Sequence, residues 1–292
     1  MKMFDPHIHM TSRTTDDYQA MAAAGIVAVV EPAFWLGQPR SHVGTFEDYF
    51  LSLLGWERFR ASQFGIKHFC TMGLNPKEAN QVELAEAVLA LLPRYLEKDG
   101  VVAVGEIGYD DVTPAEDRAF RHQIQLAIDA ELPILIHTPH RDKKRGTERS
   151  LAVVREMGIA PERVLMDHNT EETLPLTLDS GCWAGHSIYP ATKMDEARMV
   201  SLVKQYGSER IIINSAADWG VSDPLKVPKT VDQMRAAGIS EAVIETIVWH
   251  NPAAFFAQSG RLEGIEARSL IDQRKLWEGN SVLRGQAPIV EG

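Results

Sequence analysis

Two histidines separated by one residue, in Asp5-Pro6-His7-Ile8-His9, could bind a metal ion. On an extended segment successive side chains point to opposite faces, so His7 and His9 share a face and both rings can reach one ion. By itself the pair is as common in a solvated strand as in a metal site. Its weight comes from residues further along. Glu106 stands in Gly105-Glu106-Ile107-Gly108-Tyr109-Asp110, directly after Val101-Val102-Ala103-Val104, and His137, His168 and Asp218 each stand at or just beyond another apolar run. A charge at a buried strand end needs a pairing cation. Four imidazoles and two carboxylates in one expected pocket therefore read together as a metal centre. Such mixed ligands accept zinc, manganese, iron, cobalt or nickel.

These residues need a scaffold that brings strand ends together. Apolar runs at 3–10, 26–33, 66–74, 101–108, 133–138, 163–168, 182–188 and 210–214 alternate with stretches of helical periodicity. Runs such as Ile211-Ile212-Ile213 suit strands buried on both faces, and hence a parallel sheet. Helices are expected at 14–24, closed by Gly25, at 114–131, with Pro114 in the first turn, at 147–157, closed by Gly158, and at 193–206, closed by Gly207. Eight such units predict an α/β fold, a single-domain (β/α)8 TIM-type barrel over 1–258, with reactive groups at the carboxyl ends of the strands. An open doubly wound sheet is the alternative, but no Gly-rich phosphate loop follows the first run. Residues 259–292 depart from the repeat as a polar extension with one helix expected at 267–278, packing on the barrel or joining copies into a homo-oligomer.

The 292 residues carry a net charge of −10, which disfavours nucleic acid and anionic membranes as broad electrostatic partners and favours small or locally gripped substrates. Cys70 and Cys182 are the only cysteines and form no CxxC pair, so neither a disulfide framework nor a zinc knuckle is expected. No leader-like start and no apolar run of membrane-spanning length is evident, and the expectation is a cytoplasmic protein without membrane association.

The Asp-x-His-x-His segment, Gly-Glu-Ile-Gly-Tyr-Asp, Ile-His-Thr and a histidine after the sixth run resemble the TatD-related metal-dependent hydrolases of the amidohydrolase superfamily, over roughly residues 3–256. The resemblance implies a binuclear centre of two divalent ions (Zn, Mn or Mg). His7, His9 and Asp218 would hold one ion, Glu106 would bridge the two, and His137 and His168 would hold the second. It departs at the eighth run. Where the family reads Thr-Asp-x-Pro, this chain has Asn214-Ser215-Ala216-Ala217-Asp218-Trp219, so the acid falls two residues late, with Asp223 as the other candidate. The departure suggests a divergent branch.

The expected reaction is attack by metal-activated water on a phosphoester, as in a deoxyribonuclease, with Asp218 as general acid/base. Asp5 would orient a ligating imidazole by accepting its other N–H. The alternatives are an amidohydrolase or lactonase acting on a small-molecule ester or amide, and a non-catalytic metal-binding protein on the same fold. Substrate contacts are expected from His140 and from Arg141 as a two-pronged oxyanion grip, within the basic run 140–145. Glu31, Trp35, His186, Tyr189 and Trp219 are expected on the same rim.

Overall fold

The computed structural model describes residues 1–35, 37–190 and 192–265. Strands β1 (Met3–Asp5), β2 (Ile26–Pro32), β3 (Lys67–Met72), β4 (Val101–Gly108), β5 (Ile134–His137), β6 (Val164–Met166), β7 (Trp183–Ser187) and β8 (Ile211–Asn214) form one parallel sheet in chain order. With helices in the crossovers, this is the (β/α)8 barrel. β2, β4, β5 and β8 are buried from end to end, as their unbroken β-branched runs require. Beyond the strand ends, the seam between β8 and β1 is joined by backbone bonds from Ala216 N–H to His7 O (2.8 Å) and from His9 N–H to Ala217 O (2.9 Å).

The floor of the barrel is apolar. Phe4, Ala28, Val102, Leu135, Leu165 and Ile212 meet Trp249, Phe255 and Phe256 from the last helical stretch, and Leu262 and Ile265 join the same cluster. That packing fills the amino ends of the strands and leaves the carboxyl ends for chemistry. The helix expected at 267–278 lies outside the described residues.

Three element boundaries differ from expectation in ways that matter for the site. β1 stops at Asp5 because Pro6 has no N–H to continue the ladder. The segment is then held by Ile8 N–H on Val30 O (3.1 Å) and by the seam bonds. The helix expected to begin at Thr147 begins at Lys143 (Lys143–Met157). The helix expected from Lys193 begins only at Glu196 (Glu196–Tyr206), because the Asp195 side chain accepts the Arg198 N–H (2.8 Å) and caps it there. Lys193 is thereby left in the loop after β7.

Candidate metal centre

His7, His9, Glu106, His137, His168 and Asp218 all line one cavity of about 210 Å³ at the carboxyl ends of the strands. Glu106 is its hub. Its Oε1 lies 2.9 Å from His137 Nδ1, 3.0 Å from His168 Nε2 and 3.7 Å from His7 Nε2, and His7 Nε2 is 3.2 Å from His9 Nε2. Asn75 Nδ2 donates to the other oxygen, Oε2 (3.1 Å). The β4–β5 register shifts between Val104 and Ile107, the stretch that carries Glu106. Gly105 is needed there because a Cβ would come within 2.8 Å of Leu135 Cβ.

A buried polar chain beneath the cavity sets which ring nitrogens carry protons. Asp167 Oδ2 meets His7 Nδ1 at 2.5 Å, and Oδ1 accepts the His168 N–H at 2.7 Å. A carboxylate can only accept, so Asn214 Nδ2, 3.0 and 3.2 Å from its two oxygens, must donate to it. That orientation turns Asn214 Oδ1 toward Ser187, whose hydroxyl donates to it (2.7 Å). Ser187 Oγ must then accept from His168 Nδ1 (2.7 Å). Both His7 and His168 therefore hold a proton on Nδ1 and present bare Nε2 lone pairs to Glu106 and His9. The Cβ that Gly185 lacks would collide with Asp167 Oδ1, so this glycine makes room for the chain.

Lone pairs crowded against a buried carboxylate repel one another unless a positive charge lies between them. His7, Glu106 and His168 offer ligand atoms within 4.8 Å of one another. His9 Nδ1 and His137 Nε2 are buried without a hydrogen-bond partner. The donor set thus fits a divalent cation, with outer hydrogen bonds of the kind that orient ligating imidazoles.

The electrostatics agree. Burial alone would raise Glu106, but the His137, His168 and His7 rings outweigh it and hold its pKa well below the carboxylate range. Asp167 is likewise lowered against its burial, by His168 and His7. Burial depresses His9 and His168 well below the ordinary imidazole value. At His7 burial acts downward too, yet Asp167 and Glu106 bring the pKa above the ordinary value. His9 and His168 are thus neutral rings beside ionised acids, the protonation states a cation needs, whereas His7 holds its proton more tightly and must release it to bind one.

Asp218 Oδ1 accepts the Tyr189 hydroxyl (3.2 Å) and the Gly220 N–H (2.8 Å) at the cavity wall. Asp223 accepts the Leu225 N–H (2.9 Å) and pairs with Lys229 (2.5 Å), and it does not line this cavity. The part expected of Asp5 needs correction. Its Oδ1 takes the backbone N–H groups of Ser215 (3.1 Å) and His7 (3.4 Å), and the carboxylate that meets a ligating ring is Asp167. Arg141, expected to grip an oxyanion, has an exposed side chain that pairs with Asp111, and it is not among the residues that line the cavity.

His140 does line the cavity, its ring parallel to that of His168 (centroids 6.3 Å), and burial followed by the Lys193 charge brings its pKa down to about 4. Trp219 is 44% exposed and rests against Phe34 (4.9 Å) and Trp35 (6.4 Å), both cavity residues, and Phe34 stacks on His9 (3.9 Å). Glu31 and His186 are buried off the rim. Glu31 accepts the Thr11 N–H (2.8 Å) and pairs with His68 (2.8 Å). Asp167, Asn214, Ser187, Asn75 and Lys193 did not stand out in the sequence. An acid directly before His168 and an Asp N-cap two residues after Lys193 were the signals for two of them.

Residues 4–257 match the family described as TatD related DNase. The chain belongs to that family. Membership makes it a metal-dependent hydrolase and speaks against a non-catalytic metal-binding protein on the same fold. It is 28% identical over 257 residues to an uncharacterized metal-dependent hydrolase of Methanocaldococcus jannaschii, covering 87% of this chain and 99% of that one. It is 24% identical over 193 residues to the 3'-5' ssDNA/RNA exonuclease TatD of a Pantoea species, covering 63% and 71%. Among solved structures, the TatD-like protein of Archaeoglobus fulgidus superposes with a TM-score of 0.73 at 26% identity, covering 87% of this chain and 99% of that one.

Proposed function

We propose that this TatD-family hydrolase breaks a phosphoester bond with metal-activated water, using His7, His9, Glu106, His137, His168 and Asp218 around one or two divalent ions. The observation that carries the proposal is the set of bare ring nitrogens fixed toward Glu106 Oε1. When bound, such ions lower the pKa of water to near neutrality and polarise the oxygen of the bond under attack. The chain's own groups do the rest. Asp167 and Ser187 fix the His7 and His168 rings, and Asn75 holds Glu106. Tyr189 and Gly220 both donate to Asp218 Oδ1, which leaves Oδ2 without a partner among the described residues. Oδ2 then receives the proton of the attacking water and returns it to the leaving oxygen. Phe34 and Trp35 narrow the cavity against bulk water.

Support for a phosphoester comes from the Pantoea relative, named as an exonuclease. With a net charge of −10, short strands or ends suit the chain better than long duplexes. We place the protein in the cytoplasm, in keeping with free, buried Cys70 and Cys182. No helix among the described residues is long and apolar enough to cross a membrane.

The test uses metal-stripped protein resupplied with Mn²⁺, Zn²⁺ or Mg²⁺ and offered a phosphodiester, a lactone and an amide. The proposal expects metal-dependent turnover of the phosphodiester. Turnover confined to the lactone or amide would replace it with the amidohydrolase reading. Glu106→Gln is expected to lower turnover by roughly two orders of magnitude or more, about the size of effect seen when a group acting directly in the reaction is removed. Full activity at full metal content would contradict the assignment.

A further inference from the structure

The loop after β7 carries a cation that the metal-centre reading does not use. Lys193 lines the cavity together with the six candidate ligands. Its backbone is held from several sides. Its N–H donates to Tyr189 O (2.8 Å), Arg198 Nη1 donates to its carbonyl (2.7 Å), and the adjoining Met194 pairs with Ile188. Arg198 is in turn fixed by two bonds to Glu171 (2.8 and 2.6 Å). A lysine kept only for solubility needs no such support.

The other cations nearby have partners. Lys77 pairs with Asp110 (2.9 Å), Arg141 pairs with Asp111, and Lys143 donates to Thr138 (3.0 Å). Lys193 has no carboxylate in ion-pair range among the described residues. Its ammonium lies over the Tyr189 ring, 5.2 Å from the centroid. The carboxylates that act on it at longer range are Glu106, Asp167 and Asp218. Asp167 is taken up by His7 and Asn214, and Glu106 by the ligand cluster. A half-buried ammonium without a counter-charge, facing a cavity that faces solvent, is a place for an anion from outside.

We infer that Lys193 binds a negatively charged oxygen of the substrate, so that the site prefers anionic esters, phosphomonoesters and phosphodiesters, over neutral ones. The inference rests on the hydrolase reading above and adds the residue that selects for charge. Lys193 acts by position and charge and takes no part in proton transfer. Lys193 follows β7 and Asn75 follows β3, four strands apart in the barrel order, and both line the cavity with Glu106, so a scissile group held there would lie within reach of both the ammonium and Glu106.

The test compares two esters with the same leaving group, the anionic bis(4-nitrophenyl) phosphate and the neutral diethyl 4-nitrophenyl phosphate, on manganese-loaded protein whose metal content is measured. Inorganic phosphate is titrated calorimetrically in parallel. Lys193→Gln is expected to lower kcat/KM for the diester by about 10–100-fold and to weaken phosphate by a similar factor, the range of one charge-assisted hydrogen bond. The triester should be unaffected, and Lys193→Arg should recover most of the loss. Equal losses on both esters, or unchanged phosphate affinity, would overturn the inference. If the unsubstituted protein turns over neither ester while phosphate binding still requires Lys193, the hydrolytic reading fails and the anion site stands.

Discussion

Asp167 offers the sharpest test of how this centre is built, because it touches ring nitrogens without lying among the candidate ligands. In Asp167→Asn the carbonyl remains matched to the His168 N–H (2.7 Å) and to Asn214 Nδ2 (3.0 Å), so the introduced NH2 faces His7 Nδ1 at the present 2.5 Å contact. Two donors cannot meet there. His7 must give up its Nδ1 proton and carry one on Nε2 instead, the atom 3.2 Å from His9 Nε2 and 3.7 Å from Glu106 Oε1. That proton occupies the direction from which a cation would be held. Loss of an outer carboxylate of this kind costs about 10–100-fold in metal affinity, or about 1.4–2.7 kcal/mol. Calorimetric titration of Mn²⁺ into metal-stripped protein at neutral pH measures it, with thermal unfolding run alongside to confirm the fold. A folded variant that binds the ion as tightly as the unsubstituted protein would refute the tautomer argument.

Further outcomes follow from the same geometry. Burial raises the Asp5 pKa to about 6 from 3.8, so the native state binds more protons than the unfolded chain between those values. Stability of the metal-stripped protein should therefore fall as pH rises through about 4 to 6, by about 3 kcal/mol in all, and Asp5→Asn should flatten that dependence in urea unfolding while leaving metal affinity nearly unchanged. Because the His7 pKa is raised, a proton competes with the ion at Nε2. Affinity should weaken as pH falls below that raised value, by up to about tenfold per unit for one displaced proton, as followed by competition with a chromophoric chelator. Arg141→Ala should leave KM for a phosphodiester unchanged, since its side chain is exposed and engaged with Asp111, and a several-fold rise would return it to the substrate.

Most of the barrel could be read from runs of β-branched residues, because strands buried on both faces leave no room for polar alternation. The candidate ligands were legible for a related reason. A histidine or glutamate directly after such a run has only the mouth of the barrel to face. What stayed hidden depended on backbone turns that alternation cannot foresee. In a regular strand Asp167 and His168 would point to opposite faces, but His168 adopts φ of +61° and both side chains serve the same centre. Asp5 read as a partner for a ring because it lies two residues from His7, whereas its Oδ1 accepts the backbone N–H groups of His7 and of Ser215 beyond β8. Lys193 looked like a helical residue until Asp195 was seen to start the helix after it.

The seam where the barrel closes has a consequence for the life of the nascent chain. The His7 and His9 backbones are tied to Ala216 and Ala217, and the His7 ring is steadied through Asp167 by Asn214. A polypeptide still on the ribosome, with its first two histidines made but the last strand not yet emerged, lacks every one of those ties. Ion binding by His7 and His9 is therefore expected to require the closed barrel, with β8 in place.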